Sequence, residues 1–484
     1  MVQTVNQQQQ SIIEMDATEV AVHIREHKIT SLDAVHAYIK QINSVNPRIN
    51  AMVEKRFEKA IEEAKEKDQQ HNSSNVTGEL YGVPISVKEA YDVAGMKTTG
   101  GLLHRENAIA KADANVITRL KRAGAIILGK TNTPELCFCQ ETENKLYGRT
   151  NNPWDLQRTA GGSSGGEGAL LAAGGAAVGI GSDIGGSIRF PSHFNGVIGF
   201  KSGMFQVNGN GHFPGNETGL QQRMLGFGPM GKSVRDIQLM YDVIAKQSSI
   251  PKDLNGVEID ILPAKTGYPL SANTAAALDN VAHYLMESFP VKRTIPPFFD
   301  QSALLWQEIM SMDGAKNVTD VALPYHSKSM LKEFIKEKVT KNAAVHTYLS
   351  WAVIGAKMFK PTKKRIAEVQ DILIKGDRLL HNYLSNRVLV FPVYHTGAAK
   401  HGNVYKEIFS IKKTFLTYMP YVAYANVWGL PSLVIPVGTD EQGMPISVQL
   451  ISQNTNEDIL FQLGEKLESY FRGYVPCQKL QAFH

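Results

Sequence analysis

The stretch Gly161–Arg189 reads GGSSGGEGALLAAGGAAVGIGSDIGGSIR and carries 11 of the 41 glycines in a chain of 484 residues. Such a concentration indicates backbone that needs positive φ or that another group approaches closely. The glycines frame two serine-bearing loops, Gly161–Gly166 and Ile184–Ser187, and the segment Ala169–Ser182 between them has no charged residue. We therefore expect the rest of the chain to be organised around this segment.

The lengths of the two elements between the loops predict how the loops meet. A helix of small residues continues from Glu167 through Ala169–Gly175, and Val178–Ser182 suits a strand. About ten helical residues rise roughly 15 Å, and a strand of five residues returns roughly 16 Å. If the strand runs back along the helix, Ser163 and Ser187 share one pocket.

Three other interpretations of this segment compete. A phosphate-binding loop would read GxxxxGK[ST] or GxGxxG where a strand leads into a helix, and neither pattern occurs there. A membrane helix needs about 20 apolar residues, and the 14 uncharged residues here are too few. A packed core helix fits Ala169–Gly175 but leaves the serines at both ends unexplained.

The sequence of this stretch resembles the signature sequence of the amidase signature family. The residues GGSSGGEG…GSDIGGSIRFPS are especially similar to its fatty acid amide hydrolase branch, and the similarity continues through Pro191, Asn195-Gly196 and Gly199-Phe200-Lys201. The resemblance implies an α/β fold, with a single large α/β/α domain around a mixed central sheet. It also implies a serine amidohydrolase that cleaves carboxylic acid amides to an acid plus ammonia or an amine through an acyl-enzyme.

The resemblance further implies a Ser–cis-Ser–Lys triad. Ser187 corresponds to the nucleophile, and Ser163, reached through a cis Gly162–Ser163 peptide, to the bridging serine. Upstream, Tyr81–Lys88 (YGVPISVK) alternates apolar and other residues and predicts a strand with Lys88 opposite the apolar face. Lys88 ends this strand, where α/β sheets place their chemistry, and GVPISVKE is similar to the family strand that delivers the catalytic lysine.

The remaining site residues follow from the same resemblance. The backbone N–H groups of Ile184, Gly185, Gly186 and Ser187 correspond to the oxyanion hole. Ser164 is expected to hydrogen-bond Lys88. The charged pair Asp183 and Arg189 is expected to brace the nucleophile loop.

This arrangement suits the chemistry of amide cleavage. An amide is a poor electrophile, so the nucleophile must be activated and the oxyanion stabilised. A lysine can act as the base when burial lowers its pKa. A Ser–His–Asp triad with His193 and Asp183 is the alternative. However, His193 lies six residues after the nucleophile in a helical stretch, and GxSxG is absent.

Composition excludes several classes of protein. A hydrophobic content of 43%, 20% charged residues and a net charge of +5 are typical of a soluble globular chain without a basic face for nucleic acid. Three cysteines do not make a disulfide framework, and the 14 histidines show no HExxH or CxxC pattern. We expect no metal and no cofactor.

Composition also bears on the ends of the chain. Residues 1–12 predict a flexible polar tail without the apolar core of a leader or anchor, followed by the amidase domain over 13–484. No run of 18 apolar residues exists, so we expect no integral membrane segment and a cytoplasmic protein. A homodimer is compatible with the sequence.

The resemblance is strong over about 80–235 and about 420–465, and the region of about 250–418 differs from the family and is expected to face the substrate. This region contains a set of large apolar residues in helical stretches: Trp306, Met310, Met312, Met330, Trp351, Met358 and Phe359. Packing in the core is the alternative for each of them. As a group, with Phe190, they predict a pocket for an apolar acyl group.

Two further interpretations remain open. Asn132, Pro134 and Glu135 either build a loop beside the pocket or are plain turn residues. The rival function is an A-type subunit of glutamyl-tRNA amidotransferase, which has the same triad and works in a complex. Such subunits typically read TGGSIRQ, and Ile184 and Phe190 replace the Thr and Gln of that pattern.

Overall fold

The computed structural model describes residues 9, 11–72, 78–215, 218–325, 329–409 and 412–480. The strands, numbered in chain order, are β1 Met52–Lys55, β2 Pro84–Lys88, β3 Ile126–Thr131, β4 Glu143–Asn144, β5 Gly148–Arg149, β6 Asn151–Asn152, β7 Asp155–Thr159, β8 Val178–Asp183, β9 Ile198–Lys201, β10 Gly226–Gly231, β11 Glu258–Ile261, β12 Val291–Arg293, β13 Arg387–Pro392, β14 Ser432–Thr439 and β15 Pro445–Ile451. The α-helices are Ala17–Arg25, Ser31–Ile49, Phe57–Asn72, Asn115–Arg122, Gly165–Ala172, Arg189–Asn195, Gly219–Met224, Val234–Ile244, Ala272–Met286, Phe299–Met310, Lys316–Ala322, Met330–Thr340, Thr347–Met358, Lys363–Tyr383, Asn403–Phe409, Lys412–Tyr418, Pro420–Val427 and Glu457–Tyr470.

One sheet of eleven strands runs through the described part of the chain, in the order β1-β3-β2-β8-β10-β9-β14-β15-β13-β11-β12. Strand β2 is parallel to both β3 and β8, and β11 is parallel to β12 and β13, whereas the other neighbours are antiparallel. The sheet is therefore mixed, as predicted.

Each face of the sheet has its own hydrophobic cluster. Along β13, Val388 and Val390 belong to one cluster, and Leu389 and Phe391 belong to the other. Successive residues of a strand point to opposite faces, so the two clusters cover the two faces. The first includes apolar residues of helices such as Ser31–Ile49, Val234–Ile244 and Glu457–Tyr470, and the second those of Phe299–Met310, Lys363–Tyr383 and Pro420–Val427. The predicted α/β/α arrangement is confirmed.

The glycine-rich segment forms the predicted helix and strand with shifted bounds. The helix begins at Gly165 and ends at Ala172, earlier than the predicted Ala169–Gly175. Glycines occupy the first turns of this helix because other residues of the protein pack directly against its backbone. A Cβ on Gly165 would lie 2.3 Å from the Thr142 hydroxyl, and one on Gly166 would lie 2.3 Å from the Asn132 backbone nitrogen. The strand β8 is one residue longer than predicted.

Most of the predicted tail over 1–12 lies outside the described residues; of the residues described in it, Ile12 is buried. Among the residues that the structure describes, no helix is long and apolar enough to cross a membrane.

Candidate active site

Strand register brings Lys88 to the glycine-rich segment. Strand β2 pairs in parallel with β8, with Val87 opposite Ile180, so Lys88 emerges at the end of β2 beside Ser182. The Lys88 Nζ lies 2.6 Å from Ser163 Oγ, 3.0 Å from Ser182 Oγ and 3.5 Å from the Ser182 carbonyl oxygen. The predicted strand end and the bridging serine thus meet through a direct hydrogen bond.

The Lys88 side chain is fully buried. Burial lowers the pKa of Lys88 from its usual value, because desolvation penalises the ammonium form. Cys137, Asp183 and Glu167 act in the opposite direction, but less strongly. A lysine with a lowered pKa is available as a neutral base nearer to neutral pH than a solvated one.

The two serine loops contact each other. The Gly162–Ser163 peptide is cis, as the resemblance implies. The backbone N–H of Ser164 donates to the carbonyl oxygen of Ser187 at 3.1 Å, which ties the loop before the helix to the loop after β8. The Ser164 hydroxyl does not bond Lys88 as expected, because it donates instead to the Ser182 carbonyl at 3.4 Å. Ser182, which no sequence pattern identified, holds Lys88.

Asp183 and Arg189 form the expected brace. Arg189 donates from Nε to Asp183 Oδ2 and from Nη2 to Asp183 Oδ1, both at 3.0 Å, and both side chains are fully buried. Burial alone would raise the pKa of Asp183, but the charge of Arg189 holds it well below its usual value. The carboxylate is therefore ionised, and it also accepts the backbone N–H of Ile188 at 3.1 Å.

The nucleophile loop differs from the expected oxyanion hole in one donor. The N–H of Gly186 donates to Asp183 Oδ1 at 2.8 Å, so this group already has an acceptor. The N–H groups of Ile184, Gly185 and Ser187 have no hydrogen-bond acceptor within the described part of the chain. Three of the four predicted donors are therefore free to face a ligand.

Two side chains far apart in sequence hold the carbonyls of the same loop. Trp306 Nε1 donates to the Ile184 carbonyl at 2.6 Å, and Gln140 Nε2 donates to the Gly185 carbonyl at 3.0 Å. The Trp306 ring also stacks on Phe415, with ring centroids 5.4 Å apart. Trp306 was expected only as a pocket residue and Gln140 was not expected at all, because no local spacing links either residue to the loop.

A histidine from a later part of the chain contacts Ser182. His212 Nε2 lies 2.9 Å from Ser182 Oγ, and His212 Nδ1 lies 3.3 Å from the Pro214 carbonyl oxygen. Burial, with a further contribution from the charge of Lys88, lowers the pKa of His212 to about 3. The ring is therefore neutral at ordinary pH.

His193, the base in the alternative Ser–His–Asp triad, makes its hydrogen bonds with backbone groups outside the nucleophile loop. His193 Nε2 lies 2.9 Å from the Thr396 carbonyl, and its Nδ1 accepts the backbone N–H of Ser447 at 2.9 Å. Both ring nitrogens are thus used by the backbone, and the geometry does not support the Ser–His–Asp interpretation. Within the described ranges, no group of three or more His, Cys, Asp or Glu side chains could hold a metal ion.

A cavity of about 270 Å³ opens beside the nucleophile loop. Its lining includes Ser187, Ile184 and Gly185 together with large apolar side chains from the divergent region: Trp306, Met310, Trp351, Met358 and Phe359. Met312 and Met330 do not line it. Phe190 does not line it either, because its fully buried ring packs under Gly186, where a Cβ would lie 2.5 Å from Phe190 Cδ2.

The loop after β3 contributes to the cavity through residues beyond those predicted. Cys137, Phe138, Cys139 and Gln140 line it, whereas Asn132, Pro134 and Glu135 do not. Asn132 bonds Gly148 and Thr150 and accepts from Asn144, and Glu135 accepts the backbone N–H of His346 at 2.7 Å. Asn132 and Glu135 therefore bond other parts of the chain and do not face the cavity.

Comparison with known families identifies the family of the chain. The family profile described as Amidase matches residues 33–461. The chain belongs to the amidase signature family. Relatives in this family include proteins named as amide hydrolases, and the chain is an enzyme of this hydrolase class.

Individual relatives span nearly the whole chain. Human fatty-acid amide hydrolase 2 is 34% identical over 493 residues, covering 95% of this chain and 90% of that protein. The A-type subunit of glutamyl-tRNA(Gln) amidotransferase from Carboxydothermus hydrogenoformans is 30% identical over 488 residues, covering 94% and 96%. The solved structure of a fatty acid amide hydrolase matches with a TM-score of 0.81 at 19% identity, covering 96% of this chain and 86% of that one, and shows the shared fold.

Proposed function

We propose that this amidase signature enzyme hydrolyses carboxylic acid amides with Ser187 as nucleophile, Ser163 as proton relay and Lys88 as base. The observation that carries the proposal is the buried hydrogen bond of 2.6 Å between Lys88 Nζ and Ser163 Oγ, beside the loop that bears Ser187. A buried amine bonded to a hydroxyl is the arrangement that an amide hydrolase without a catalytic histidine needs.

In the proposed reaction, Ser187 Oγ attacks the amide carbonyl carbon. The Ser187 proton passes to Ser163 Oγ, and the Ser163 proton passes to neutral Lys88. The free N–H groups of Ile184, Gly185 and Ser187 receive the oxyanion. Lys88 then returns its proton through Ser163 to the departing nitrogen as the C–N bond breaks. Water cleaves the resulting Ser187 ester by the same route, which releases the acid and restores the serine.

The nucleophile is tested with a matched pair of serine variants. Ser187→Ala should abolish amide hydrolysis and labelling by a fluorophosphonate, because it removes the attacking oxygen. Ser192→Ala should retain both, because the Ser192 hydroxyl is buried and has no hydrogen-bond partner among the described residues. Labelling of the Ser187→Ala protein at the wild-type rate would contradict the proposal.

The substrate is proposed to carry an apolar acyl group, since the cavity beside Ser187 is lined largely by apolar side chains, among them aromatic residues and methionines. Each buried CH₂ contributes up to about 0.8 kcal/mol, which is about fourfold in kcat/KM. We expect kcat/KM to rise from acetamide to medium-chain or aryl amides, and Met310→Gln to flatten the rise. A preference for small polar amides such as glutamine would contradict this pocket.

The enzyme is proposed to act without a partner chain. Ile184 and Phe190 support this, because both differ from the pattern expected of an amidotransferase subunit. The purified chain alone should release ammonia or an amine from simple amides. A chain that is inert alone and becomes active only with a tRNA-binding partner would establish the rival function.

A further inference from the structure

The hydroxyl of Ser182 joins the base to a histidine outside the proposed triad. Ser182 Oγ lies 3.0 Å from Lys88 Nζ and 2.9 Å from His212 Nε2. His212 is 30 residues from Ser182 in sequence, and its ring packs edge-on against Tyr91 and Phe227, each with centroids 5.1 Å away. The positions of the hydrogens decide which atom donates and which accepts in each of these two contacts.

The surroundings of His212 determine its tautomer. The Pro214 carbonyl oxygen near Nδ1 can only accept a hydrogen bond, so Nδ1 carries the hydrogen. In a neutral imidazole the other nitrogen is then an acceptor. His212 Nε2 therefore accepts, and the Ser182 hydroxyl donates its single hydrogen to it. Ser182 Oγ presents only lone pairs to Lys88.

This orientation matters for a lysine that works as a base. A neutral amine has two N–H groups and one lone pair. With Ser182 Oγ and the Ser182 carbonyl as acceptors at 3.0 and 3.5 Å, both N–H groups of Lys88 are directed to Ser182. The lone pair then faces Ser163 Oγ at 2.6 Å, where it can take the proton. A Ser182 hydroxyl free to rotate would donate to that lone pair and compete with Ser163.

We propose that His212 is a positioning residue, which holds the hydroxyl hydrogen of Ser182 away from Lys88 and keeps the lysine lone pair on Ser163. The inference rests on the proposed role of Lys88 as base. It assigns to His212 no contact with the substrate and no proton transfer of its own.

The test is a double-mutant cycle with purified full-length protein and one medium-chain amide. His212→Leu should lower kcat roughly tenfold with KM changed less than twofold, because the acceptor is lost and the competing Ser182 conformer appears. In the Ser182→Ala background, where there is no hydroxyl to rotate, the same change should cost less than twofold. If His212 served only to pack against Tyr91 and Phe227, the change would cost the same in both backgrounds, and the proposal would be overturned.

Two variants with an amide side chain at position 212 distinguish the loss of the hydrogen-bond acceptor from the loss of the ring shape. His212→Gln places an oxygen near the position of Nε2 and should keep kcat within about threefold of wild type, whereas His212→Asn reaches only the position of Nδ1 and should behave like His212→Leu. Equal activity of the two amide variants would contradict the proposal. Thermal unfolding of each variant identifies any that fails to fold.

Labelling of Ser187 by a fluorophosphonate provides the same cycle without an amide substrate. A wild-type chain that neither hydrolyses any amide nor is labelled refutes the proposed function and this inference together. An active wild-type chain with additive His212 and Ser182 variants refutes the inference alone.

Discussion

Replacing Trp306 by Phe should slow catalysis, because Trp306 holds the peptide group between Ile184 and Gly185 in the nucleophile loop. The indole Nε1 donates to the Ile184 carbonyl at 2.6 Å, and this carbonyl shares its peptide group with the N–H of Gly185. That N–H is one of the three loop donors without an acceptor in the described residues. A hydrogen bond to the carbonyl polarises the N–H of the same peptide and fixes its direction, so its loss weakens an oxyanion donor.

The size of the effect follows from burial. Trp306 is 8% exposed, and its replacement removes the indole donor of the Ile184 carbonyl. A buried polar group left unsatisfied costs about 1–3 kcal/mol. If the transition state bears this cost in full, kcat/KM falls by about 5- to 150-fold, since about 1.4 kcal/mol corresponds to a factor of ten. Phe retains most of the ring stacked on Phe415.

The assay is steady-state hydrolysis of a short-chain amide, which occupies little of the cavity and therefore reports on the loop. Trp351→Phe is the matched control, because Trp351 also lines the cavity and donates from its indole to a backbone carbonyl, that of Phe409. The control should change kcat/KM less than threefold. Equal effects of the two substitutions, or a Trp306→Phe enzyme within twofold of wild type, would refute the reasoning.

Three other substitutions test the base, the brace and the loop. Lys88→Ala should lose activity by orders of magnitude, and wild-type activity should fall as the pH drops through the lowered Lys88 pKa, since the neutral amine is the active form; a wild-type pH–rate profile retained in the variant would exclude this role. Asp183→Asn should lower the free energy of unfolding by about 3–5 kcal/mol in urea titrations, because it leaves the buried Arg189 charge unpaired. The lowered pKa of Asp183 means that this stabilisation is present above its unfolded value, near pH 4, and lost on acidification, so a variant with unchanged stability at pH 7 would contradict the brace. Gly185→Ala should lower kcat at least tenfold with little loss of stability, because the new Cβ would lie 2.7 Å from Trp306 Cζ2 and one of the two must move; a structure of an active variant with both in place would contradict that expectation.

The parts of the site that are local in sequence could be predicted from it. The two serine loops flank a helix and a strand of matching length, so the contact between the loops follows from element lengths. Alternation predicts the strand that Lys88 ends, whereas the approach of Lys88 to Ser163, 75 residues away, was implied only by the resemblance. The pairing of Asp183 with Arg189 is also short-range.

The parts that depend on distant contacts could not be predicted. His212 reaches Ser182 across 30 residues, and Trp306 reaches Ile184 across 122. Neither pair has a periodicity that would reveal it, because the tertiary path alone sets the contact. The oxyanion donors were predicted as a run of four, and the structure differs at Gly186 because the Asp183 carboxylate accepts that N–H from three residues further along the same loop.

The division of the apolar interior into separate clusters has a consequence for how the enzyme would lose activity. The strands that carry Lys88 and the glycine-rich segment pack through Val87 and Ile180 into one cluster, while Trp306 lies in the second and the helix Thr347–Met358 packs through Leu349 into a third. Different segments of one protein open with different free energies. Under mild denaturant the helix Thr347–Met358, which carries Trp351 and Met358 of the cavity wall, can therefore open before the reaction centre and its Trp306 contact do. Such an enzyme would lose its long-chain substrates first and keep acetamide longest, so specificity would fail before catalysis.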